Sequence, residues 1–303
     1  MRKLLLLLIS TVSITSMNAA EAREPGIAPT FPPGLTLGLP IAVNPPPGFY
    51  FMNRLSYSEF QLKDGSNHNI GQKTSIWVDS LQLTWVPGIT VLGGSYKTFV
   101  MLPFVDITMK RTQPTTGPLG SWRTRGLANP KFQPLDLTWS LGNNWHIGTG
   151  LGVYAPLGKY DDTAALNVAG NFWTIEPSLG VTYLKDKWHF SSQLVYNTNT
   201  RNDDNHYRSG DQVFLNSTLT YRFGNWDIGP VGYFMRQTTA DSNHGGVTHF
   251  GGNVFPKQEQ AGLGLLASTT LGKAKVYTYY TQDLYAHNTV AGGKLWLNVL
   301  LRL

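Results

Sequence analysis

The chain has 303 residues, of which 41% are hydrophobic and 14% charged, with a formal net charge of +6 and no cysteine. Charged residues at this level are well below the usual quarter and the hydrophobic fraction is slightly low for a globular core. The composition therefore argues against a soluble sandwich, the lack of cysteine excludes a disulfide scaffold, and a mild, dispersed basic excess gives no footing for nucleic acid.

Arg2 and Lys3 open the chain, an apolar run follows over residues 4–9, and Ala20-Glu21-Ala22 provides a small-x-small cleavage site. This is the pattern of a secretory signal peptide over residues 1–22. Its removal takes the basic count from 24 to 22 and the acidic count from 18 to 17, a net +5. No later stretch offers the roughly 18 uninterrupted apolar residues of a membrane helix. Residues 23–47 are rich in Pro and Gly, which forbids sheet pairing. Either this is a disordered tail, or Phe31, Leu35, Leu37, Leu39 and Ile41 fold it into a barrel mouth as a plug.

From residue 48 the chain divides into strands over 48–63, 73–86, 96–110, 131–141, 144–156, 171–185, 187–197, 212–223, 226–235, 258–271, 275–285 and 292–303. The clearest is 144–156, where Trp145, Ile147, Leu151 and Val153 alternate with His146, Gly148, Gly150, Gly152 and Tyr154. A period of two places successive side chains on opposite faces of a strand. Residues 171–184 repeat it, with Trp173, Ile175, Leu179 and Val181 opposing Thr174, Glu176, Ser178, Gly180 and Thr182. About ten residues is the length a tilted strand needs to cross an apolar layer. Tight turns at Asn143-Asn144, 185–187, Gly224-Asn225 and Gly272-Lys273 alternate with long polar excursions over 111–126, 158–170, 198–211 and 236–257. Brief periplasmic turns, long outer loops and an even strand count describe a transmembrane antiparallel up-and-down β-barrel, all-β, with about 12 strands. Trp85, Trp122, Trp139, Trp145, Trp173, Trp188, Trp226 and Trp296 suit girdles at the two water interfaces, with some facing the lumen.

The middle of the chain also carries a specific resemblance. Gly126-Leu127-Ala128-Asn129-Pro130, Pro134-Leu135, Trp145-His146, Ala155-Pro156-Leu157-Gly158-Lys159-Tyr160, Asn167, Gly170, Asn171 and Trp173 together resemble the signature of the outer-membrane family named for the meta-pathway of phenol degradation. Two departures stand out: Ala128-Asn129 where the family reads Gly-Asp, and Leu157 where it reads Thr. The resemblance implies a barrel related to long-chain fatty-acid and aromatic-hydrocarbon transporters, located in the bacterial outer membrane.

Parity places Asp106, Asp136, Glu176, Arg222, Asp227 and Arg302 in the lumen. Charges there must be hydrated or paired. They form either a structural network or a ring that reads a substrate, with Arg222 paired to Glu176 or Asp227. Gly148, Gly150, Gly152, Gly180, Gly262 and Gly264 fall on the same face and leave room for a ligand or a plug, or serve sheet curvature. His206, His244, His249 and His287 lie in or near long loops, and His244 to His249 fits no ligand motif. The acidic loop residues Asp161, Asp162, Asp203, Asp204, Asp211 and Asp241 are solvated, or bind divalent cations with lipopolysaccharide phosphates. No catalytic residue, metal site or cofactor is expected. The expected partners are membrane lipid, lipopolysaccharide and a hydrophobic small-molecule ligand, with no nucleic acid. The expected function is uptake of hydrophobic small molecules, aromatic ones among them; the alternatives are an outer-membrane lipid hydrolase and a structural or adhesive barrel.

Overall fold

The structure, a computed structural model, describes residues 23–27, 29–114 and 118–303. The expected signal peptide lies outside the described residues. Twelve wall strands form one antiparallel sheet: β1 (Gly48–Lys63), β2 (Asn69–Val86), β3 (Gly94–Arg111), β4 (Lys131–Gly142), β5 (Trp145–Tyr154), β6 (Thr174–Lys185), β7 (Trp188–Asn199), β8 (Gln212–Phe223), β9 (Trp226–Gln237), β10 (Glu259–Leu271), β11 (Ala274–His287) and β12 (Val290–Arg302). Each pairs with its sequence neighbours, and β1 also pairs with β12, Leu55 opposite Leu297, so the sheet closes on itself. Closure removes the edges that an open sheet would expose.

Alternation sorts the two faces as the sequence pattern requires. Leu55, Leu83, Leu102, Ile147, Leu179, Leu194, Leu215, Leu219, Leu265 and Leu297 point outward and stay exposed. Such a belt is costly against water and suited to the apolar layer of the bacterial outer membrane. At the short-turn end Phe49, Trp85, Trp145, Trp188 and Trp226 ring the wall, and Phe49 stacks on Trp85 at 6.0 Å. They form the periplasmic girdle. Trp296 instead faces the lumen and is 2% exposed.

Outside these twelve, the described residues hold three two-residue strands and one longer strand that the sequence pattern does not mark. Gly120–Leu127 pairs with the upper half of β3, Phe104 opposite Leu127 through Arg111 opposite Gly120. It extends the wall upward on one side only, within what the sequence pattern assigns to a polar loop.

Residues 29–47 run inside the barrel. Successive i to i+3 turns, Leu35 N to Pro32 O (3.1 Å), Leu37 N to Gly34 O (3.2 Å), Leu39 N to Thr36 O (3.3 Å) and Val43 N to Pro40 O (3.1 Å), coil the segment upward from the periplasmic end. Turns leave many backbone amides without partners, and a buried amide must find one. The wall supplies them: Gly34 N donates to Asn216 Oδ1 (3.0 Å), Gly38 N to Thr218 Oγ1 (2.9 Å), Ile41 N to Ser191 Oγ (3.0 Å) and Ala42 N to Thr182 Oγ1 (3.0 Å). Phe31, Leu35 and Leu37 pack against Met52, Val195, Phe214, Met235 and Leu266 to form the main apolar core, which lies in the lumen.

Two wall glycines give the segment its space. A Cβ at Gly180 would stand 2.5 Å from Ile41 Cγ2, and one at Gly148 would stand 3.3 Å from Ala42 Cα. Within the segment, Gly38 has φ +84 and a Cβ there would meet Leu266 Cδ1 at 2.5 Å. Gly38→Ala is therefore expected to cost at least about 1–2 kcal/mol from the left-handed backbone alone, measured as a lower denaturation midpoint of the liposome-reconstituted barrel; an unchanged midpoint would contradict this placement.

Candidate functional site

Where the luminal segment leaves the wall, a cavity of about 220 Å³ remains between residues 29–35 and strands β1 to β3. On β2 the even positions face inward, bringing Ile76 and Val78; on β3 the odd positions do so, bringing Val105, Ile107 and Met109. Leu166 and Val168 from the outer loop between β5 and β6 close the top, and Met109, Ile107, Leu166 and Val168 pack as a second apolar cluster. A barrel lumen is ordinarily polar. This apolar strip departs from that, as does the core around Phe31, and the strip accounts for β3 carrying apolar residues on both faces, with Leu102 and Phe104 outside. That two-sided pattern is the signal that would have found the strip in the sequence.

The lid over the cavity is built from the residues that carry the family resemblance. Asn129 Nδ2 donates to Gly170 O (2.8 Å) while its Oδ1 accepts from Gly158 N (3.2 Å), tying the start of β4 to both ends of the loop. Asn167 N donates to Gly26 O (2.9 Å), and Tyr160 OH donates to Glu24 Oε1 (3.0 Å). The same carboxylate oxygen accepts from Asn202 Nδ2 (2.7 Å) and Asn205 Nδ2 (2.6 Å). The signature thus holds residues 23–27 at the outer end of the lumen, opposite the end at which β1 begins. Burial pushes the Glu24 carboxyl above its ordinary value against these donors and Arg23, and lowers the Arg23 guanidinium to about 10, with Asp241 and then Glu24 opposing that shift.

Of the six charged residues assigned to the lumen, five face it, and they do not form one ring. Asp136 pairs with Lys97 at 3.4 Å. Glu176 pairs with Lys131, not with Arg222. Arg222 and Asp227 make a bidentate pair near the periplasmic mouth, at 2.7 and 3.0 Å. Arg302 NH2 donates to Pro47 O (2.9 Å) and so anchors the foot of the luminal segment. Asp106 is the correction: it lies on the outer face of β3 and pairs with Arg123 at 2.6 Å. Val105 and Ile107 on either side take the luminal face, so Asp106 must point away, into water above the apolar belt.

Lys294, which lines the cavity, is 4% exposed; its Nζ lies 2.5 Å from Tyr233 OH, 3.6 Å from Asp283 Oδ1 and 4.0 Å from the Tyr233 ring centre. Nothing in the sequence near Lys294 announces this pair, because β9, β11 and β12 meet only through the register. The acidic loop residues serve the cap: Asp241 accepts from Tyr207 OH, Gly210 N and Gln237 Nε2, and Asp211 pairs with Arg208. His206 and His244 meet through backbone, His244 N to His206 O at 3.2 Å. Among the described residues no three His, Cys, Asp or Glu side chains gather in a metal-holding group.

The family model described as "Putative MetA-pathway of phenol degradation" matches residues 60–299. Among solved structures, an outer membrane channel from Pseudomonas putida F1 superposes with a TM-score of 0.73 at 14% identity, covering 87% of this chain and 98% of that one. The transport unit of the autotransporter AIDA-I from Escherichia coli gives 0.51 at 10% identity, covering 89% and 94%. At these identities the likeness is one of fold. A comparison with curated proteins finds no match.

Proposed function

Because the chain belongs to the outer-membrane family of the MetA pathway of phenol degradation, we propose that it takes up hydrophobic small molecules, aromatic ones among them, across the bacterial outer membrane. The observation that carries this reading is the apolar cavity enclosed by β1 to β3, the loop holding Leu166 and Val168, and the luminal segment. Its size and largely apolar lining suit a small hydrophobic guest with few polar atoms. The solute enters under the outer loops, rests on the apolar strip, and leaves when residues 23–47 shift as a plug or through a gap in the wall.

Ile107 is 4% exposed and forms part of the strip. Ile107→Trp is expected to fill the cavity and to reduce uptake of labelled toluene by outer-membrane-intact cells to the level of cells lacking the protein. Undiminished uptake by a variant that retains its heat-dependent gel shift would refute the reading. Lipid hydrolysis by the purified barrel would favour the hydrolase alternative instead.

A further inference from the structure

The floor of the cavity is chemically unlike its sides. Trp296 lines it with a buried indole Nε1 that has no hydrogen-bond partner, and Tyr154 brings a buried hydroxyl whose neighbour is the Glu176 carboxylate. Ser56 and Ser80 stand on the wall beside them. One step down the same faces, below Ser56 on β1, is Arg54, 4% exposed. Its Nε donates to Met52 Sδ (2.8 Å) and its NH2 to Gln82 Oε1 (3.0 Å). Among the described residues no carboxylate lies within ion-pair distance of it, whereas Lys97, Lys131 and Lys294 each have one. A thioether is a weak acceptor, and a buried charge without an opposite charge is under-compensated.

A donor without an acceptor, next to a guanidinium without a counter-ion, specifies what is missing. We propose that the ligand of this cavity carries a carboxylate on an apolar body, and that the carboxylate seats on the floor against Arg54 and Trp296. This inference rests on the cavity being the ligand site. Two residues of strand rise are about 7 Å, a gap that the flexible arginine side chain closes by changing rotamers, trading Met52 Sδ for a carboxylate oxygen. Trp296 Nε1 donates to the same group, and the aryl or short alkyl body lies along Val78, Val105 and Ile107. Charge-assisted hydrogen bonds of this kind are the strong ones, so the site selects small monocarboxylates over neutral molecules of the same shape.

The test is calorimetric titration of the full barrel in lipid nanodiscs with 3-phenylpropanoate and with 3-phenylpropan-1-ol at neutral pH. The acid is expected to bind about tenfold tighter or better, the ratio that a single charged hydrogen bond supplies. Arg54→Met is expected to bring the two affinities together by weakening the acid alone. Trp296→Phe keeps an aromatic ring over Tyr279 and is expected to narrow the ratio as well, which covers the case in which Arg54→Met does not fold. Equal affinities in the unaltered protein overturn the inference and leave the cavity reading standing; no binding of either compound overturns both.

Discussion

Lys131→Met alone is expected to destabilise the barrel by about 3–5 kcal/mol, whereas Lys131→Met combined with Glu176→Leu recovers most of that loss. Lys131 and Glu176 are 6% and 1% exposed, and the ammonium lies 5.3 Å from the Phe99 ring centre and 5.4 Å from that of Tyr154. Removing the ammonium strands a buried carboxylate with only the neutral donors Tyr154 and Asn197 beside it, the latter 3.0 Å away with its amide turned to donate. Removing both charges leaves no ion to solvate. Denaturant unfolding in liposomes, set out as a double-mutant cycle, measures the difference; equal losses in the single and double variants would show that the pair is hydrated rather than dry.

Deleting residues 24–46 is expected to open the lumen to small hydrophilic solutes without unfolding the wall. The deletion costs burial of Phe31, Leu35 and Leu37, about 1.5–3 kcal/mol each. Asn216, Thr218, Ser191 and Thr182 lose their backbone partners, but water entering the lumen replaces them. The ladder from β1 through β12 is untouched, since none of its hydrogen bonds passes through the segment. Liposomes containing the deletion variant should swell rapidly in arabinose, and those containing the intact chain should swell little faster than empty vesicles. No permeability above empty vesicles after deletion would argue against the segment as the closure. Retention of the heat-dependent gel shift separates an open barrel from an unfolded one.

Much of the wall is legible in the sequence because lipid on one side and polar atoms on the other impose a two-residue contrast along most of the spanning strands. The contrast fades where the environments converge. In Gly120–Leu127 Ser121, Arg123 and Arg125 face water, while the other face carries a single large apolar side chain, Trp122, against the cluster of Ile107 and Met109. The amphipathic signal is too thin to read, and pairing with β3 makes it a strand. Asp106 was misassigned for the complementary reason: β3 is apolar on both faces, so hydrophobicity alone does not say which way its one acid points. The paired charges of the lumen are beyond any local reading. Lys131 and Glu176 stand 45 positions apart and meet only through the registers of β4, β5 and β6. The cavity shares that origin, because its inner boundary is a Pro- and Gly-rich segment whose turns show no periodicity.

The luminal segment enters at the periplasmic foot of β1 and reaches the outer loops at Arg23 and Glu24, so it spans the height of a tube whose seam joins β1 to β12. Drawing that strand through a finished tube would mean dragging Arg23 and Glu24 past a packed interior. Laying it into an unfinished trough, with the first strand and the last still apart, requires no such passage. The geometry therefore favours a seam that closes over a segment already in place.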